Sequence, residues 1–169
     1  MRRILGHSLM ACLLGLLLVA CATPQRLMPQ DTLKPAEPEW HGRLSLVIHS
    51  TPETALSAGF LLRGSAHQGA IDFYSPLGTT VTALRWSPQA ALWLEGDQQR
   101  SFDSLSRLTE KATGAALPIH QLFDWLEGRA VTLPGWQADL SGLQQGFLVV
   151  RRTDPAPEVV LRIKIDANP

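Results

Sequence analysis

From Trp40 to Ile165 apolar side chains return at every second position in segment after segment, and the rhythm changes only between Leu105 and Leu126. Period two marks a strand with one buried face, and a period near 3.6 marks a helix. Leu44, Leu46 and Ile48 alternate with Arg43, Ser45 and His49, and Ala58, Phe60 and Leu62 alternate with Gly59 and Arg63. Ile71 and Phe73 form a third strand, and Leu84 and Trp86 a fourth, preceded by the strand-favouring Thr79, Thr80 and Val81. Leu92 and Leu94 form a fifth, turned by Glu95-Gly96-Asp97 into Arg100-Ser101-Phe102. Leu105, Leu108 and Ala112 then lie on one helical face, with Asp103 as N-cap and Gly114 just past the end. Ile119, Leu122, Phe123 and Leu126 repeat the helical spacing, opened by Pro118 and stopped by Gly128. After Val131, the segments Trp136 to Leu140, Phe147 to Arg152 and Val159 to Ile165 return to strand character, the last two an antiparallel pair joined around Asp154-Pro155-Ala156-Pro157. Both helices are too short to stand alone. The expected fold is therefore mainly β with short helices (α+β), a strongly curved antiparallel sheet or incomplete barrel with the helices against its open side.

The N-terminus reads as an address rather than a fold element. Arg2 and Arg3 precede the apolar run Ser8 to Ala20, whose 13 residues are too few to cross a bilayer as a helix but suit a secretory signal. The run ends in Leu18-Val19-Ala20-Cys21, which resembles the lipobox of bacterial lipoproteins. The alternative is an ordinary signal peptide in which Cys21 is incidental. The lipobox resemblance implies a signal peptide over residues 1–20, a diacylglyceryl thioether on Cys21 and a fatty acyl group such as palmitate on its amine. Several acyl chains anchor far better than one, at about 0.8 kcal/mol per buried methylene. By the sorting rule of lipoproteins in enteric-type bacteria, Ala22 rather than Asp after Cys21 argues against retention in the inner membrane. Residues 21–39 then form a tether with Pro24, Pro29, Pro35 and Pro38. At about 3.1 Å per residue it reaches on the order of 50 Å. Residues 40–169 form the folded domain.

Composition excludes several classes of function. The chain carries 15 basic and 15 acidic side chains, and loss of Arg2 and Arg3 with the leader leaves 13 against 15. A near-neutral domain has no basic footprint for nucleic acid. The two cysteines, Cys12 and Cys21, both precede the domain, which leaves it no disulfide, cysteine metal site or thiol nucleophile. Its histidines, His41, His49, His67 and His120, have no metal-ligand spacing, and Ser50 beside His49 is a sequence neighbour rather than a triad. Glu95 and Asp97 flank a turn glycine and read as solvated turn residues. No nucleophile elbow, zincin helix or phosphate loop occurs. No enzyme activity, metal or cofactor is expected.

One local feature stands out. In Ser75-Pro76-Leu77-Gly78-Thr79, Ser at the first position, Pro at the second and Gly at the fourth specify a type I turn between two strands. Turn chemistry does not call for Leu77 at the tip. Either it folds back onto the sheet or it protrudes.

These residues resemble the LolB family of outer-membrane lipoprotein receptors. The resemblance rests on the lipobox, the strand-turn-strand from Phe73 to Leu84 around Pro76-Leu77-Gly78, the stretch from Leu108 through Thr113-Gly114 to Pro118-Ile119, and Leu122 to Arg129 with Trp125-Leu126-Glu127-Gly128. The closing strand Leu161 to Ile165 also fits. The resemblance implies a half-open antiparallel β-barrel with helices covering an apolar cavity. It implies a monomeric receptor on the periplasmic face of the outer membrane, which accepts acylated lipoproteins from the soluble carrier LolA and inserts them into that membrane. Pro76, Leu77 and Gly78 would form the membrane-insertion loop. The candidate acyl-chain lining is Leu44, Leu46, Ile48, Phe60, Leu62, Ile71, Phe73, Leu84, Trp86, Leu92, Leu94, Leu122, Phe123 and Leu126. Periodicity does not distinguish a lined hollow from a filled core. A filled core would suit the alternative function, a structural outer-membrane lipoprotein that scaffolds a protein partner.

Overall fold

The computed structural model describes residues 38–167. The leader, Cys21 and the tether through residue 37 lie outside them. Strands β1 (Glu39–Ile48), β2 (Thr54–Gly64), β3 (Gly69–Tyr74), β4 (Thr80–Trp86), β5 (Ala91–Glu95) and β6 (Gln98–Phe102) come first. Helices α1 (Leu105–Thr113) and α2 (Ile119–Leu126) follow, then β7 (Trp136–Asp139), a 3₁₀ turn at Leu143–Gln145, β8 (Phe147–Arg152) and β9 (Val159–Ile165). All nine strands belong to one sheet in the order β6-β5-β4-β3-β2-β1-β9-β8-β7, and every pairing is antiparallel. The end strands β6 and β7 do not pair with each other, so the barrel stays open.

Residues directly opposite in antiparallel strands share a face, and the register sorts the sheet accordingly. Leu44 opposes Ile163, which opposes Leu148; Leu46 opposes Leu161, which opposes Val150; Leu62 opposes Ile71, which opposes Leu84. All nine are buried on the inner face, which both helices cover. On the outer face lie Arg43, Arg63, Asp72, Arg85 and Lys164.

Both helices match the expected segments, with differences at their ends and faces. Ser104, not Asp103, caps α1, its Oγ accepting from the Arg107 N–H at 3.2 Å. The α1 chain ends in left-handed Gly114 as the sequence indicates. Its buried stripe is Leu105, Leu108 and Thr109, while Ala112 faces solvent. In α2, Trp125 joins Ile119, Leu122, Phe123 and Leu126 in the core, its indole N–H donating to Val131 O at 3.2 Å. Phe123 wedges edge-on between Trp40 of β1 and Trp86 of β4, with ring centroids 5.6 and 6.1 Å away. Val131 lies in a loop rather than a strand, and β7 stops at Asp139, one residue before Leu140.

Candidate functional site: apolar interior and protruding loop

The Pro76-Leu77-Gly78 segment forms a tight turn held by its own backbone. Gly78 N–H donates to Ser75 O at 2.9 Å, and Ser75 N–H donates to Thr79 O at 2.9 Å. The Ser75 hydroxyl accepts from Leu77 N–H at 3.3 Å. Gly78 supplies the left-handed residue, φ +80°, that lets a type I turn close a hairpin. The register then shifts between Phe73 and Tyr74, leaving Val81 as the extra residue of a bulge. The two readings of Leu77 are thereby decided: its side chain is 93% exposed, with half-exposed Val81 beside the base of the same loop.

Of the fourteen candidate lining residues, eleven are buried on the inner face or on α2, and Phe73 packs half-buried against them. Leu92 and Leu94 do not join them. Leu92 opposes Arg85 and Leu94 opposes Ala83, both on the outer face, while Ala91 and Trp93 point inward. Every residue of Ala91-Leu92-Trp93-Leu94 is apolar, so the period-two pattern has no polar partner from which to choose a parity.

The interior is packed rather than hollow. Leu46, Leu62, Leu108, Trp125, Leu148 and Val150 are each exposed by 1% or less. A cleft of ≈ 250 Å³ opens instead at the edge of the helices, lined by apolar Leu105, Leu117, Ile119, Leu133 and Trp136 together with polar Ser106, His120 and Gln121. None of the fourteen candidates lines it. Among the described residues two buried donors lack partners, the indole N–H of Trp93 and the Nε–H of Arg152. Sequence reasoning missed both. Trp93 was hidden by the parity ambiguity, and Arg152 by the unalternating run Phe147-Leu148-Val149-Val150-Arg151-Arg152.

Among the described residues, no group of three or more His, Cys, Asp or Glu side chains is placed to hold a metal ion. No helix among them is long and apolar enough to cross a membrane.

Comparison with known proteins bears on what such an arrangement serves. Residues 39–153 match the family model of the outer membrane lipoprotein LolB. Curated proteins named outer-membrane lipoprotein LolB are similar to the chain. The one from Cupriavidus necator is 31% identical over an alignment covering 89% of this chain and 82% of the relative. That from Bordetella petrii is 28% identical over 73% of this chain and 75% of its own. That from Shewanella baltica is 33% identical over a shorter stretch, 54% of this chain and 41% of the relative.

Proposed function

The chain belongs to the LolB family of outer-membrane lipoproteins, and on that premise we propose that it is a receptor that takes acylated lipoproteins from a soluble periplasmic carrier, LolA, and inserts them into the outer membrane. In this reading Cys21 is lipidated after removal of residues 1–20, and residues 21–39 tether the domain to the bilayer. The observation that carries the reading is Leu77, a leucine held 93% exposed by a turn with no structural need for it. Burial of such a side chain in lipid contributes roughly 1.5–3 kcal/mol, enough to orient a tethered domain at the surface but not to hold it there. The apolar interior receives the acyl chains once the helices shift, and a cleft lined by Leu105, Ile119 and Trp136 opens beside them. Transfer along a gradient of apolar burial needs no nucleotide, metal or reaction at any residue.

The packed core favours a second reading, a structural lipoprotein that scaffolds a protein partner. Transfer separates the two. The chain from residue 22 onward keeps every described strand and helix; it is mixed with a triacylated lipoprotein bound to its carrier, with a non-acylated cargo as control. The receptor reading expects only the acylated cargo to change hands. No transfer, with the domain folded and the carrier active, leaves the scaffold.

A further inference from the structure

Three cations gather on the outer face of the sheet. Arg43 of β1 lies directly opposite Lys164 of β9, and Arg162 shares that face of β9 two residues earlier, opposite Ser45 and Val149. Elsewhere on this face the charges are matched: Arg63 and Arg85 share Asp72, and Arg151 reaches Glu158 at 3.4 Å. Among the described residues no carboxylate forms an ion pair with Arg43, Arg162 or Lys164. Asp139, on the same face, stands two strands from Arg162 and accepts from the Ser141 hydroxyl and N–H. Lys164 Nζ donates to Gln145 O at 2.6 Å and lies 4.1 Å from the centroid of the Phe147 ring, while Arg43 and Arg162 are exposed. Like charges directly opposite in a sheet are destabilising. An anion laid across them relieves that repulsion.

The cations border an open groove of ≈ 310 Å³, whose walls also include Ser45, Ser57 and Phe147. One row of the sheet connects it to the protruding loop. Phe147 opposes Lys164, Lys164 opposes Arg43, Arg43 opposes Gly59, and Gly59 opposes Tyr74, the residue before the turn at Ser75. At about 4.8 Å per strand, Arg43 is about 10 Å from the strand that leads into that turn. The exposed large apolar side chains among the described residues are Leu77 and Val81 at one end of this row and Phe147 at the other. The cations lie between them. We propose that this face docks on an anionic phospholipid bilayer, Arg43 and Arg162 taking headgroup phosphates over the groove while Leu77 enters the lipid beside them. Guanidinium binds phosphate through paired N–H donors, and each basic side chain near an anionic surface strengthens association about five-fold. An acidic protein would answer the charge but not the apolar side chains at both ends of the row. The inference rests on the reading of Leu77 as a membrane contact and adds a charge preference carried by a separate face.

The test is flotation of the chain from residue 22 onward with vesicles of phosphatidylcholine, pure or with one lipid in three replaced by phosphatidylglycerol. It is run at about 0.1 M and about 1 M salt, between which the screening length falls from about 10 to about 3 Å. At the lower salt the anionic vesicles are expected to bind at least ten-fold more tightly than the neutral ones, and at the higher salt the difference should vanish. Arg43→Gln combined with Arg162→Gln is expected to lose that ten-fold preference and to melt at or above the parent's temperature. Arg107→Gln combined with Lys111→Gln, the same change of charge on α1, should keep it. Equal binding of the parent to both vesicles would overturn the proposal, as would an undiminished preference in the first variant or an equal loss in the second. Binding of free glycerol phosphate or of polyglutamate, with no gain from phosphatidylglycerol, would make the groove a soluble-phosphate or acidic-protein site and overturn the bilayer. Cargo insertion into the same vesicles keeps the two readings apart. Insertion into neutral and anionic vesicles alike, with no charge-dependent binding, refutes this inference alone. Charge-dependent binding without insertion upholds it and refutes the receptor.

Discussion

Arg63 and Arg85 converge on one carboxylate. Asp72, only 6% exposed on the outer face of β3, accepts from Arg63 of β2 at 2.7 Å and from Arg85 of β4 at 2.5 Å, so one side chain ties three strands. Asp72→Asn is expected to destabilise the fold by about 1–3 kcal/mol in urea unfolding. The value falls below that of a wholly buried pair because both guanidiniums keep contact with water. Leu77 calls for a different experiment. Leu77→Glu removes apolar area that is 93% exposed in the fold, so the melting temperature is expected to hold within a degree or two. Acyl-ligand binding should also persist, while release into liposomes stalls; equal insertion by variant and parent would remove Leu77 from the mechanism. At this scale the sequence was most readable where the chemistry was local. Ser, Pro and Gly of the 75–79 turn dictate its shape, and the shape puts Leu77 outside. It was least readable at Arg152, whose burial depends on β7 and β9, segments that local spacing does not bring together.

Phe123 of helix α2 docks between Trp40 and Trp86, and a glycine makes room for the second of these rings. A Cβ on Gly69 would collide with the Trp86 indole and, at 2.6 Å, with Arg63 O. The ring therefore lies against bare backbone, with its N–H donating to Ser65 O at 3.1 Å and its edge meeting Phe123. Gly69→Ala is expected to cost about 1–3 kcal/mol by overpacking, with Trp fluorescence shifted before unfolding as the indole is displaced. The helices, nine and eight residues long, owe their stability to packing on the sheet. Their amides should exchange faster than those of β1, β2 and β9, and bound acyl ligand should change exchange in α1 and α2 while leaving the central strands alone. Ligand-dependent exchange confined to the sheet would show that the helices are not the cover that moves. The helical spacing in the sequence located both elements, since periodicity over eight or nine residues is a strong signal. The α1 cap fell one residue from the expected Asp103 because Ser104 and Asp103 are both good caps, and only the backbone's path selects between them.

Residues 38–167 as a whole form a sheet with two free ends and one covered face. Strand content and the outline of a half-open barrel follow from alternation and the short helices. Strand order was not legible, because the pairing of β1 with β9 joins segments from opposite ends of the domain. Nor could alternation tell that the inner face is filled. Closure depends on how far the helices descend, and Trp125, which occupies that space, sits outside the i, i+3, i+4, i+7 pattern used to read α2.

The place of β1 in the strand order also governs how the protein is made. Its neighbours are β2, which follows at once, and β9, the last of the described strands to be synthesised. Until Val159–Ile165 arrives, one edge of β1 has no partner and the side of Leu44 and Leu46 that Ile163 and Leu161 will cover stays wet. A chain cut before β9 lacks the strand that joins β1 to β8, so β7 and β8 lose their connection to the rest of the sheet. It leaves an open edge in the middle of the fold, a template for pairing with other chains.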